Sequence, residues 1–309
     1  MQFQTENWMG FLPASVTLRL LTEICLPGTH NSAAYTLDLL HPIPDDNRYL
    51  KISPLLWFSP IKYFAKLWIL TQNVDIYRQL EMGIRVLDFR LAFDGEEFWL
   101  VHAFSLVKLS KVLKDVKAFI KTHPTEVVII RAKPGWEQRN TMFGETNRLE
   151  VEVLNALGRK YLISQVSGMP TLNECQQTGA PRVLFIYEVP TIYFWPSSIV
   201  QNFWANTNDI EELREEVNSV KKMSKIPMLF QEISFVLTPT DKDVKTSLFK
   251  YLTYQRYENL KRFANKTNEL LINELENDFV NFSKFSFITM DFANYKAIMA
   301  VIALNYFQI

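Results

Sequence analysis

Short apolar runs of strand length alternate along the chain with longer amphipathic segments. The runs are ICLPG, IRVLDFRL, FWLVHAF, EVVIIRAK, RVLFIYEV, PMLFQEISFV and FSFITMDF. Between them, residues 110–122, 140–160, 208–225, 244–277 and 294–307 repeat their apolar positions at helical spacing. This rhythm predicts an α/β protein with a parallel sheet and crossover helices, because parallel strands buried on both faces read as near-continuous apolar runs. Seven or so such strands fit a closed or distorted (β/α) barrel better than an antiparallel sandwich. No Pro/Gly/Ser-rich linker or composition shift divides the chain, so residues 1–309 read as one domain.

Composition narrows the function. At 309 residues with 48% apolar content the chain can bury a substantial core. Its 33 Lys+Arg balance 33 Asp+Glu, which removes the electrostatic footprint of a nucleic-acid binder. Only 9 glycines are present, and neither GxGxxG nor GxxxxGK[ST] occurs, so nucleotide-phosphate loops are absent from the pattern. Cys25 and Cys175 stand far apart in no metal-like spacing, and so few histidines, four, argue against a zinc site; no cofactor is expected. No signal-peptide pattern opens the chain and no apolar stretch reaches ~18 residues, which predicts a cytoplasmic protein or one peripheral on membranes. Sequons at Asn265 and Asn281 would then stay unmodified.

Several apolar runs end in a polar or ionisable residue: His30, Arg90, His102, Lys133, Glu188 and Asp291. In a parallel barrel the C-terminal strand ends gather around one mouth, which would bring these side chains into one pocket. Such a set can cleave a phosphodiester without metal when a hydroxyl of the substrate attacks phosphorus. One imidazole removes its proton, another protonates the leaving oxygen, and a fixed cation neutralises the phosphoryl oxygens. His30, His102 and Arg90 supply these three parts. His41 and His123, each before a proline in a polar turn, read as loop residues.

The motifs LPGTHNSAAY (26–35), RQLEMGIRVLDFR (78–90), the VH of FWLVH and TMDF (289–292), with the opening NWMGFLP, resemble the phosphatidylinositol-specific phospholipase C X-domain family. The resemblance is to its short, stand-alone members, including bacterial enzymes, eukaryotic X-domain-containing proteins and the trypanosome glycosylphosphatidylinositol phospholipase C. It implies a distorted (β/α)8 TIM-type barrel. It also implies His30 as general base toward the inositol 2-hydroxyl, Asp291 as the carboxylate orienting it, His102 as general acid and Arg90 at the phosphate, with Asp88 holding Arg90. Lys133 matches a substrate-binding lysine. Arg90 and Lys133 fall where calcium-dependent members carry acidic ligands, and two cations leave a divalent ion too few oxygens.

The chain also departs from the bacterial pattern. Asn31 stands where an aspartate assists the acid histidine, and asparagine can orient an imidazole but not stabilise its charge. Glu188 replaces a basic substrate contact, and Asn206 in WANTN matches an inositol-binding carboxylate only loosely. Structural alternatives stand beside these roles: Arg90 as an ion-pair partner of Asp88, Asp291 as a helix cap, Lys133 as a solvated lysine. An aromatic, lysine-containing insertion at about 48–72 carries Trp57, Phe58 and Trp68. It reads as a membrane-docking segment or, alternatively, as packing on the barrel; Tyr193, Phe194, Trp195 and Trp204 form a second aromatic cluster with the same two readings. The expected activity is metal-independent cleavage of phosphatidylinositol-type lipids in a membrane surface to diacylglycerol and inositol 1,2-cyclic phosphate. The rivals are a glycosylphosphatidylinositol-anchor phospholipase C and a catalytically weak lipid-binding module. Protein partners are not specified by the pattern.

Overall fold

A computed structural model describes residues 4–38 and 59–306. Ten strands join one sheet: β1 (Leu26–Thr29), β2 (Val86–Phe93), β3 (Phe98–His102), β4 (Phe104–Lys108), β5 (Val128–Pro134), β6 (Val183–Tyr187), β7 (Phe194–Pro196), β8 (Val200–Phe203), β9 (Phe230–Phe235) and β10 (Phe287–Met290). Eight follow the order β7-β6-β5-β2-β1-β10-β9-β8, and every pairing along that path is parallel. The sheet curls into a barrel wall. No backbone rung joins β7 to β8 among the described residues: the chain pairs first with β6, makes one turn over Ser197–Ile199, and then pairs with β9.

The apolar runs form these strands because both their faces are covered, one by the barrel interior and one by the outer helices. All of Val183–Tyr187 and Phe230–Phe235 is buried. Gly28 lies where β1 is squeezed between its neighbours: a β-carbon there would stand 2.7 Å from Thr289 Cγ2 and 3.0 Å from Val86 Cβ. At the other end of the barrel Arg85 and Glu126 form a fully buried ion pair at 2.6 Å. The remaining Arg85 donors reach the carbonyls of Leu80, Ile84 and Glu6, and Glu126 also accepts from the backbone of Met9 and Gly10. This network ties the N-terminal segment to the barrel floor.

Three expectations from the sequence are corrected. FWLVHAF is not a parallel wall strand: it breaks at Ala103, φ 62°, into the antiparallel hairpin β3–β4 lying off the barrel path. The helical pattern over 244–277 divides into Asp241–Leu252 and Leu260–Asn277, with Tyr254 at φ 57° between them, and that over 140–160 into Arg139–Gly144 and Thr146–Leu157. The helix Leu260–Asn277 packs on β9 and β10 as their crossover. Asp241–Leu252 is an extra helix that meets the helix Ser59–Ile69 instead, with Tyr63 and Phe64 against Tyr251.

Candidate active site

The register of the barrel brings the expected side chains together. Thr29 pairs with Met290, so the next residues, His30 and Asp291, leave their strands side by side. Nδ1 of His30 donates to Oδ1 of Asp291 at 2.9 Å, and the carboxylate is 4% exposed. That contact fixes the tautomer and leaves Nε2 a base. Asn31, in the left-handed region at φ 42°, donates Nδ2 to His30 Nε2 at 3.1 Å, so it meets the base imidazole, whereas the resemblance pairs this position with the acid one. Asp291 does not cap the last helix; Asn294 does, accepting from the Ala297 N–H.

On the next strands Arg90 pairs with Lys133, and Asp88 with Arg131. With a period of two, all four side chains share one face, directed into the barrel. Asp88 is 3% exposed and accepts from the Asn31 N–H at 3.1 Å; Lys133 Nζ stands 3.3 Å and Arg90 Nε 3.8 Å from it. Burial alone would raise the Asp88 carboxyl, yet Lys133, Arg90, His30 and Arg131 hold it well below the usual carboxylate range. Burial, with Arg90 and Arg131 acting in the same direction, outweighs Asp88 and pushes the Lys133 ammonium down to about 8. Lys133 is thus a strand residue of the pocket, not a solvated loop lysine. Buried Arg90 Nε has no hydrogen-bond partner among the described residues.

His102 reaches the same mouth by a different route. β2 overruns the barrel end, and β3 returns antiparallel with Leu100 opposite Leu91, which carries His102 back toward the level of Phe89 and Arg90. Its Nδ1 donates to the carbonyl of Ile69, the last residue of the helix Ser59–Ile69, at 2.6 Å. The two imidazoles meet edge to face with ring centroids 6.4 Å apart.

Other expected residues are placed as follows. Glu188, just past β6, forms an ion pair with Arg139 at 2.6 Å, so a cation from outside the strand accompanies the carboxylate. Asn206 is an exposed residue at φ 52° in the segment after β8. Trp57, Phe58 and His41 lie outside the described residues. Trp68 is half-buried, edge-on to Phe263 at 5.9 Å. His123 ends its helix, with Nδ1 2.8 Å from the Phe119 carbonyl. Large apolar side chains are exposed on the helices Ser59–Ile69 and Asp241–Leu252 and the turn that follows the latter: Tyr63 at 58%, Phe249 at 64%, Leu252 at 62% and Tyr254 at 99%.

Two features escape sequence reasoning. Arg131 pairs with Glu232 of β9. Those strands stand four places apart in the sheet, so the pair crosses the barrel interior below the site, where Thr289 also donates to Glu232 at 3.2 Å. Its signal was the period-two relation to Lys133. Asn268, buried on the crossover helix, donates Nδ2 to the carbonyls of Asp291 and Phe292 at 3.1 and 3.2 Å and props that turn; nothing local in the sequence marks it. Among the described residues, no three His, Cys, Asp or Glu side chains gather as a metal cage requires, and no helix is long and apolar enough to cross a membrane.

Comparison with known proteins bears out the resemblance and the fold. No family model matches the chain. It is 24% identical to the zebrafish PI-PLC X domain-containing protein 3 over 99% of its length and 95% of that protein. It is 26% identical to the human PI-PLC X domain-containing protein 2 over 67% of the chain and 69% of the relative. Among solved structures, the phosphatidylinositol-specific phospholipase C of Listeria monocytogenes superposes with a TM-score of 0.69 at 20% identity, covering 98% of this chain and all of that one. The Staphylococcus aureus phosphatidylinositol-specific phospholipase C gives 0.67 at 16% identity, over 96% and 97%. The chain is therefore similar over nearly its whole length to PI-PLC X domain proteins and has the barrel fold of the bacterial phospholipases.

Proposed function

From a PI-PLC X domain-like barrel as the premise, we propose that this chain is a metal-independent phospholipase C that cleaves phosphatidylinositol-type lipids at a membrane surface. The observation that carries the reading is the pair of imidazoles. Two rings stand 6.4 Å apart, each bound through Nδ1, one by a carboxylate and one by a carbonyl, which makes Nε2 the working atom of both.

His30 Nε2 takes the proton of the inositol 2-hydroxyl as its oxygen attacks phosphorus, and Asp291 stabilises the imidazolium that forms. His102 Nε2 delivers a proton to the departing diacylglycerol oxygen. Arg90 and Lys133 neutralise the phosphoryl oxygens, and Arg90 Nε supports that role: it stands 3.8 Å from Asp88 without a hydrogen bond among the described residues, and a buried donor without an acceptor carries a desolvation cost that a phosphate oxygen removes. The products are diacylglycerol and inositol 1,2-cyclic phosphate. Asp88 holds Arg90 and Lys133 rather than touching the lipid, and the cations beside it are what oppose a divalent ion there. Glu188 with Arg139, and Asn206, are the proposed contacts to the headgroup. Trp57, Phe58 and Trp68 are the proposed contacts to the bilayer, together with the exposed Tyr63, Phe249, Leu252 and Tyr254.

Phosphorus NMR of products from phosphatidylinositol vesicles in excess chelator tests the reading. A cyclic phosphodiester signal is expected. Headgroup binding without turnover would replace the enzyme by a lipid-binding module, and release restricted to glycosylphosphatidylinositol anchors would change the substrate class.

A further inference from the structure

The pair formed by His30 and Asp291 depends on two strand ends that the sheet itself stops holding. The last rung between β1 and β10 is the His30 N–H donating to the Met290 carbonyl at 3.0 Å. Beyond it the chain turns away on both sides, through Asn31 at φ 42° and Phe292 at φ 44°. Side chains at such diverging ends need some other restraint to stay at hydrogen-bond distance.

Gln72 supplies one. Its Nε2 donates one hydrogen to the His30 carbonyl at 3.0 Å and the other to the Met290 carbonyl at 3.3 Å, while Oε1 accepts from the Ala293 N–H at 3.4 Å. The amide thus binds the backbone of His30 and the backbone on either side of Asp291, using both donors and its acceptor. It is 3% exposed, and its own backbone N–H donates to the Ala34 carbonyl at 3.1 Å. We infer that Gln72 is a positioning residue, an added rung that keeps His30 and Asp291 in register for proton abstraction. The inference rests on the proposed function for its kinetic meaning, but its structural content stands apart from it.

The test compares wild type with Gln72→Met, which keeps the length and loses every donor. With a positioning role, kcat on phosphatidylinositol falls by about 10- to 100-fold, because small misplacement of a proton acceptor is costly, while KM changes by less than about twofold, as expected for a group that does not touch substrate. An activated leaving group does not rescue the loss, since the attacking side is impaired. Independently of turnover, the downfield Nδ1 proton resonance of His30, bonded to Asp291 in the wild type, broadens or disappears in the variant. If the wild type proves inactive and this resonance is still lost in Gln72→Met, the enzymatic reading falls and the positioning role survives. Retention of both kcat and the resonance would overturn the inference. Should Gln72→Met not fold, Gln72→Asn, whose shorter amide reaches one strand end, serves with an intermediate loss, and unaltered behaviour there overturns it equally.

Discussion

His102 is held by Ile69: its Nδ1 donates to the terminal carbonyl of the helix Ser59–Ile69 at 2.6 Å. A carbonyl oxygen only accepts, so Nδ1 keeps its hydrogen whether or not the ring is charged. His30 is held by a carboxylate instead. The two imidazoles therefore differ in what supports them, which suits opposite roles.

Leaving-group chemistry separates those roles. His30→Ala and His102→Ala should each lower the rate on phosphatidylinositol by at least ~100-fold without unfolding the chain. An activated leaving group needs little acid, so it should restore His102→Ala far more than His30→Ala. Equal restoration would show that the roles are shared, and preferential restoration of His30→Ala that they are reversed.

Chelation should leave the rate essentially unchanged, because Arg90 and Lys133 flank Asp88 where a cation would otherwise sit. Arg90→Leu should cost ~100-fold or more in kcat, as loss of a charged transition-state contact does. An activity abolished by EGTA and recovered with calcium would refute the metal-independent reading.

The pH dependence has a defined sign. A lysine is charged below its pKa, and Lys133 is pushed down to about 8 in the folded protein. Beyond the alkaline fall that the acid imidazole itself imposes, kcat/KM should drop further as pH rises through 8, and Lys133→Arg, charged throughout, should remove that further drop alone. A profile with the same further drop in Lys133→Arg would assign it to another group.

Stability should respond most to the barrel floor. Glu126→Ala leaves buried Arg85 and the Met9 and Gly10 N–H groups without their acceptor, so unfolding free energy should drop by about 3–5 kcal/mol. Denaturant titration reads this directly, and a change below ~1 kcal/mol would mean that water or a rearrangement satisfies the arginine.

Docking can be separated from chemistry at the exposed apolar side chains of Asp241–Leu252 and the turn after it. Replacing Phe249, Leu252 and Tyr254 by alanine removes apolar area worth roughly 1.5–3 kcal/mol per side chain if fully buried in lipid. Vesicle sedimentation should fall by orders of magnitude, while turnover of a soluble inositol phosphodiester and the melting temperature hold. Unaltered sedimentation would remove this face from the membrane contact.

What the sequence disclosed follows from where each signal is local. His30, Arg90, Lys133 and Asp291 close apolar runs buried on both faces, and parallel register then carries them to one mouth. His102 is harder to place: FWLVHAF has no glycine or proline at Ala103, so no local signal marks the hairpin that delivers it. Tyr254 ended a helix just as silently. Gln72 and Asn268 are ordinary amides until chain segments some 220 and 23 residues away are folded against them.

The missing rung between β7 and β8 among the described residues has a consequence for solubility. A wall left open exposes unpaired backbone that another chain could extend, the usual origin of edge-to-edge aggregation. Here the strands at the opening are three and four residues long, and β7 ends at Pro196, which has no N–H to offer. The barrel can remain open at the side without presenting a template for a second copy.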